Sequence, residues 1–185
     1  MNEPSDAIRM AEDIANLLKA HQTDTIVIGA VALAAHHYAR FTEDIDLAVL
    51  SNLKEMYHIQ NALQKAGYAA ELHEPDADDP LSGVIDVRNE NGHVQIISYA
   101  DTFPAIIQDS VKQANLTIRD GSPLKIVPLA HLVVLKLYAG GLKSHADIVE
   151  LLKRNPEVSL QEISHLCNHY QLDGFESIYR ELKEI

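Results

Sequence analysis

Apolar residues recur along this chain with two different periods, and the changes from one to the other mark out its elements. Ile8, Ala11, Ile14, Leu17 and Leu18 fall at helical spacing and predict an amphipathic helix over 5–21. Thr25 to Ile28 is a short apolar run that predicts a strand, and a helix follows from Ala30 to about Ala39. Between Ile45 and Leu50 the pattern alternates, so that Ile45, Leu47 and Val49 share one face of a second strand. Ser51 or Asn52 caps the next helix, and Gly67 suits its end. Tyr68 to His73 predicts a third strand, and the acidic stretch 74–80 (EPDADDP) a solvated loop.

The segment 83–98 reads as a hairpin turning at Asn91-Gly92, a strong two-residue turn signal. A helix over 102–114 follows, and Asp120-Gly121 turns a further short hairpin. From Pro128 onward the pattern is helical, over 128–139, 143–154, 159–170 and 175–184, with Ser159 and Glu162 spaced as a capping box. This order predicts an α/β core over 1–127 and a C-terminal helical segment over 128–185 packed on it.

Composition narrows the class. A chain of 185 residues with 46% hydrophobic content is long enough to bury a core and is expected to form one domain. No apolar run reaches membrane-spanning length and no signal peptide is apparent, so a membrane partner is not expected. The single cysteine, Cys167, leaves no internal disulfide and fits a reducing cytoplasm. A net charge of −12 argues against non-specific DNA or RNA binding, which rests on Lys and Arg meeting phosphates. Only the charge near a groove decides specific binding, so an RNA substrate stays open.

The candidate chemistry lies between residues 25 and 50. Asp44 and Asp46 are two apart on a strand and therefore stand side by side. Adjacent carboxylates repel each other unless a cation lies between them, and oxygen ligands at this density suit Mg²⁺. Gly29 allows a tight turn and a close backbone approach at the start of a helix, whose free N–H groups favour a phosphate. A phosphate cradle facing a metal-binding carboxylate pair is the equipment of phosphoryl or nucleotidyl transfer.

This strand, Gly29 with a small residue, helix and Asp44-Ile45-Asp46 together resemble the nucleotidyltransferase superfamily with the DNA polymerase beta fold. More narrowly, Arg40 to Leu47 (R-x-T-x-D-I-D-L) and Leu132 to Ile148 resemble the AbiEii-type nucleotidyltransferase toxins. The resemblance covers about residues 20–150. It implies a minimal nucleotidyltransferase fold: a short mixed β-sheet flanked by helices, with a C-terminal helical segment. It also implies Mg²⁺ on Asp44 and Asp46, an NTP donor, an RNA or protein acceptor, and an antitoxin as partner. Gly29, Ala30, Arg40, Thr42, Gln95, Lys136 and Asp147 are the positions that would line the nucleotide groove.

Members of the superfamily carry a third carboxylate, usually the base for the attacking hydroxyl. Ile85-Asp86-Val87 fits its pattern by residue type, whereas Gln95 holds its position relative to the downstream helices. An Asn91-Gly92 turn would pair Arg88 with Gln95 and Asp86 with Ile97. Asp86 would then lie diagonally from Gln95, about 7–8 Å away, serving the site or pairing with Arg88. Glutamine cannot accept a proton near pH 7, and loss of a general base slows transfer roughly 10²–10⁴-fold. Ala30 also replaces a serine or second glycine common in the superfamily.

Other positions carry two readings each. Arg40 either meets phosphate or pairs with Glu43 or Asp44. Lys136 lies on the apolar stripe of Leu129, Leu132 and Val133, so it either snorkels to the surface or has a buried anionic partner. The resemblance gives it to the nucleotide phosphates. Asp147 either belongs to the groove, as the resemblance implies, or makes a salt bridge to Lys136 or Lys143. His165, Cys167 and His169 do not form a zinc site, since Cys167 is rotated away from both histidines on the helix. Two functions follow: a Mg²⁺-dependent nucleotidyltransferase, or a catalytically degenerate binder that keeps the fold.

Overall fold

The computed structural model describes residues 4–75 and 83–184. The predicted acidic loop at 74–80 therefore lies mostly outside the described residues. The elements run, in chain order, α1 (Pro4–Ala20), β1 (Ile26–Val27), α2 (Gly29–Ala35), β2 (Asp44–Val49), α3 (Leu53–Lys65), β3 (Ala69–His73), β4 (Val84–Asn89) and β5 (Gly92–Ser98). They continue with α4 (Pro104–Gln113), β6 (Leu116–Thr117), β7 (Lys125–Ile126), α5 (Leu129–Ala139), α6 (Gly141–Arg154), α7 (Leu160–His169) and α8 (Phe175–Glu184).

The strands form one mixed sheet in the order β3-β4-β5-β2-β1-β7-β6. β2 and β5 pair in parallel, as do β1 and β7, and the remaining neighbours pair antiparallel. α1 and α3 pack on one face of this sheet. Alternation turns Leu47, Val49, Ile85, Val87, Val94 and Ile96 to that face, where all six are fully buried. The intervening residues Asp44, Asp46, Asp86 and Gln95 consequently occupy the opposite face. Local chemistry agrees with these bounds: Asn52 and Glu55 form a full capping box at α3, and the Ser159 hydroxyl accepts the Glu162 N–H at α7.

Two boundaries differ from expectation. α2 stops at Ala35 rather than near Ala39, because His37 adopts a left-handed conformation (φ 65°) and Tyr38 N–H closes back on the Leu33 carbonyl. The β4–β5 hairpin turns at Glu90-Asn91, one residue earlier than the Asn91-Gly92 signal suggests. Asn91 N–H donates to the Asn89 side chain, which makes the turn locally. Gly92 instead serves packing: a Cβ there would sit 2.9 Å from the Cβ of Ala7 on α1. The register is thus corrected by two residues, so that Asp86 faces Gln95 directly and Arg88 faces His93.

The C-terminal helices pack on one another and reach the sheet through α4 and α5, with Ala130 to Leu135 of α5 buried throughout. His36 Nε2 meets the Val127 carbonyl at 2.8 Å, and Asn155 donates to the His36 carbonyl at 2.9 Å. The second of these bonds fastens the end of α2 to the helical half. No helix among the described residues is long and apolar enough to cross a membrane.

Candidate active site

β1 ends where α2 begins, and Gly29 makes that turn with a φ of +64°. Ile28 N–H donates to the Asp46 carbonyl, which holds the turn against β2. The Asp46 carboxylate then lies against Gly29 so closely that a Cβ at position 29 would stand 1.7 Å from Asp46 Oδ2. Glycine is required here both by the left-handed backbone and by the carboxylate. The backbone turn and the second aspartate therefore belong to one site.

Asp44 and Asp46 share a face, as the two-residue period demands. Thr42 Oγ1 donates to Asp44 Oδ1 at 2.5 Å and fixes that carboxylate. Burial, then the neighbouring charge of Asp44, pushes the Asp46 pKa up from 3.8 to about 6. Lys136, His93 and Arg40 pull in the other direction without cancelling it. A carboxylate pair under this repulsion is the kind of site a cation stabilises. Two hard oxygen donors on one face suit Mg²⁺, which binds through one or two carboxylates plus substrate phosphates and water. Among the described residues no three His, Cys, Asp or Glu side chains converge as a complete cage, so substrate oxygens would complete the shell.

A cationic corner borders the pair. Asp147 on α6 is 2% exposed and lies 2.7 Å from Lys136 Nζ on α5 and 3.7 Å from Arg40 Nη1. Of the alternatives for Lys136, a buried anionic partner is the one realised, and Asp147 forms the salt bridge to Lys136. Arg40 pairs with Asp147, not with Glu43 or Asp44; the partner comes from the helical half of the chain. Two cations share one buried carboxylate, which leaves net positive charge facing Asp44 and Asp46.

On the other side, register partners Asp46, Gln95, Asp86 and Glu71 line up across β2, β5, β4 and β3. Gln95 is thus the immediate neighbour of Asp46. Asp86 is one strand further, about 10 Å from Asp46 by strand spacing. Its carboxylate accepts Gln95 Nε2 at 3.0 Å and meets His93 Nε2 at 2.6 Å and His73 Nε2 at 2.9 Å. Burial raises its pKa, but the Gln95 and His93 hydrogen bonds and the two histidine charges outweigh this and hold it below the usual value. The expected alternative, pairing of Asp86 with Arg88, is replaced by the two histidines. A concavity of about 670 Å³, lined in part by Glu71, His73, Asp86 and Arg88, opens over this edge.

His93 and His73 were not among the residues that sequence reasoning singled out. His93 shares its face with Gln95 by strand alternation, a signal present in the sequence. His73 reaches Asp86 only through the β3–β4 pairing. Ala30 is buried at the start of α2. A further cavity of about 550 Å³, bordered by Leu50, Ser51, His58 and Lys112, lies at the other end of β2 and contains none of the site residues.

This arrangement of sheet, turn and carboxylate pair is the nucleotidyltransferase fold. ANT(2″)-Ia, an antibiotic-resistance factor, matches it with a TM-score of 0.60 over 98% of this chain and 97% of its own, at 14% identity. The crystal structure of ANT(2″)-Ia in complex with adenylyl-2″-tobramycin gives 0.59 over 89% and 96%, at 13% identity. A candidate nucleotidyltransferase from Thermotoga maritima gives 0.55 over 83% and 96%, at 15% identity. An antigenic nucleotidyltransferase-like protein from Paracoccidioides brasiliensis gives 0.54 over 92% and 89%, at 17% identity. The chain matches no family model and no curated protein sequence. The narrower likeness to AbiEii-type toxins rests on the sequence motifs alone.

Proposed function

We propose that this protein is a Mg²⁺-dependent nucleotidyltransferase that moves a nucleotidyl group from an NTP to a hydroxyl of an RNA or protein acceptor. The contact between Gly29 and the Asp46 carboxylate carries this reading, because it puts a phosphate-sized turn and a metal-binding carboxylate at one point. Gly29 and the first N–H groups of α2, including those of Ala30 and Val31, would hold phosphate oxygens. Lys136 and Arg40 would neutralise the triphosphate, with Asp147 keeping both in place. Asp44 and Asp46 would hold the Mg²⁺, which when bound supplies charge stabilisation at the reacting phosphorus.

In the transfer itself the acceptor oxygen bonds to the α-phosphorus, the α–β phosphoanhydride bond breaks, and pyrophosphate leaves. We assign the departing hydroxyl proton to Asp86, with the acceptor lying over Gln95. The net charge of −12 weighs against non-specific nucleic-acid binding and leaves both RNA and protein as acceptors. The motif resemblance extends the proposal to a cytoplasmic toxin with an antitoxin partner.

One observation favours a second reading. Gln95 occupies the place beside Asp46, and Asp86 is engaged by three donors that weaken it as a base. A degenerate binder would keep NTP affinity without transfer. Incubation with Mg²⁺ and each labelled NTP, with and without total RNA, separates the two. The enzyme reading predicts label on RNA or protein in the wild type and none in Asp46→Ala. NTP binding without any transfer would establish the degenerate binder.

A further inference from the structure

The segment 36–43 joins α2 to β2 and carries Arg40 and Thr42 into the site, yet it belongs to no helix or strand. No strand ladder holds it. α6 grips it instead, at three points. Asn155, which ends α6, donates from Nδ2 to the His36 carbonyl at 2.9 Å. The Arg154 guanidinium lies 5.2 Å from the centroid of the Tyr38 ring. Asp147 pairs with Arg40 at 3.7 Å. Residues 36, 38 and 40 thus meet 155, 154 and 147, so the segment runs along α6 in the opposite direction. From 147 to 155 the helix rises about 12 Å, and the chain from 36 to 40 reaches at most about 14 Å, so the two spans match.

The three grips differ in what they can fix. At 3.7 Å the Arg40–Asp147 pair attracts without a hydrogen bond, whereas Lys136 Nζ lies 2.7 Å from the same carboxylate. Arg40 Nε is buried and has no hydrogen-bond partner among the described residues. Charge attraction alone leaves the guanidinium free to shift. Asn155 is the directional grip. It is 3% exposed, and its Nδ2 donates to the Leu151 carbonyl of its own helix at 2.8 Å as well as to His36. An atom facing two carbonyls has to be the amide nitrogen, since an oxygen there would meet two acceptors. The His36 ring is held too, by the Val127 carbonyl at 2.8 Å from Nε2.

We propose that Asn155 is a positioning residue for Arg40. By anchoring the start of the segment at His36, it sets where the guanidinium stands beside the carboxylate pair and so sets affinity for the nucleotide triphosphate. This rests on the nucleotide reading given above and gives a residue outside the groove a share in building it. Loss of the Asn155 amide leaves the His36 carbonyl without this donor. The Arg40–Asp147 attraction does not restore the lost geometry, because it is satisfied over a range of positions. Lys136 and the Gly29 turn keep their own holds, so the nucleotide still binds, but more weakly.

The test is a double-mutant cycle over wild type, Asn155→Ala, Arg40→Ala and the two combined. Each protein is read by calorimetric titration of ATP with Mg²⁺ and by thermal denaturation. Asn155→Ala is expected to weaken ATP binding about fivefold and to have no further effect once Arg40 is alanine. Its drop in melting temperature is expected to be the same in both backgrounds. Unchanged ATP affinity in Asn155→Ala, or equal weakening with and without Arg40, would overturn the positioning role while leaving the site reading intact. Should Asn155→Ala fail to fold, Tyr38→Leu releases the middle grip. Its effect on ATP is likewise expected to vanish in Arg40→Ala, and persistence there would overturn the role. If wild type binds no ATP, the site reading itself fails and the positioning role falls with it.

Discussion

Among single residues, Gly29 and Asp46 hold the site together. Replacing Gly29 with alanine places a methyl group where the Asp46 carboxylate lies and forces a left-handed alanine. We expect Gly29→Ala to cost about 1–2 kcal/mol in thermal or urea denaturation and to abolish Mg²⁺–NTP binding. Wild-type affinity in that variant would contradict the shared site. Asp46 has a folded-state pKa raised from 3.8 to about 6, so the folded protein holds this proton more firmly than the unfolded chain. Its contribution to stability is full below pH 3.8 and is lost as the pH rises through about 6. Metal-free Asp46→Asn should therefore melt higher than wild type at pH 7, with the difference vanishing near pH 4. A difference that does not depend on pH would argue against an uncompensated carboxylate. The side-by-side aspartates and their distance from Gly29 were legible from two-residue periodicity and motif spacing. The partners of Arg40 and Asp86 were not, because both arrive through long-range packing that no local pattern encodes.

At the scale of elements, periodicity located nearly every helix and strand, and the misses have identifiable causes. The Asn91-Gly92 dipeptide looks like a turn, yet Gly92 is needed where α1 presses on β5, and Asn89 makes the turn with Asn91. This two-residue change in register is what puts Asp86 opposite Gln95. α2 ends early without a glycine because His37 takes the left-handed conformation itself. α5 contains a histidine that its sequence pattern hides. His131 is 1% exposed with neither ring nitrogen hydrogen-bonded, and burial lowers its pKa from 6.5 against the opposing pull of Asp109 on α4 and Glu162 on α7. A histidine with a lowered folded pKa contributes its stability above pH 6.5 and loses it as the pH falls below that value. His131→Leu is expected to stabilise the fold by about 1–2 kcal/mol at pH 7 and to flatten the acid limb of the stability curve. An unchanged acid limb would show that other groups set it.

At the scale of the whole molecule, the α/β half and the helical half meet at the cationic corner of the site. Asp147 comes from α6, Lys136 from α5 and Arg40 from the segment before β2, so one buried carboxylate joins cations from both halves. Removing it leaves two cations without their partner. Asp147→Ala should cost about 3–5 kcal/mol by denaturant titration and should weaken NTP binding as well. A loss under 1 kcal/mol would mean that the corner is solvated and mechanically unimportant. The division near residue 127 is proposed as one of sequence rather than of independent folding, since α5 offers an almost wholly buried surface. On that proposal the site lies between two segments of one folding unit.

We propose that the glycine turn, the carboxylate pair and the cationic corner act as one metal–nucleotide site. Calorimetric titration of ATP with and without Mg²⁺, in wild type and Asp46→Asn, is the decisive measurement. Wild type is expected to bind saturably only with Mg²⁺, and Asp46→Asn to lose that binding. Equal binding without Mg²⁺, or binding that survives Asp46→Asn, would contradict it.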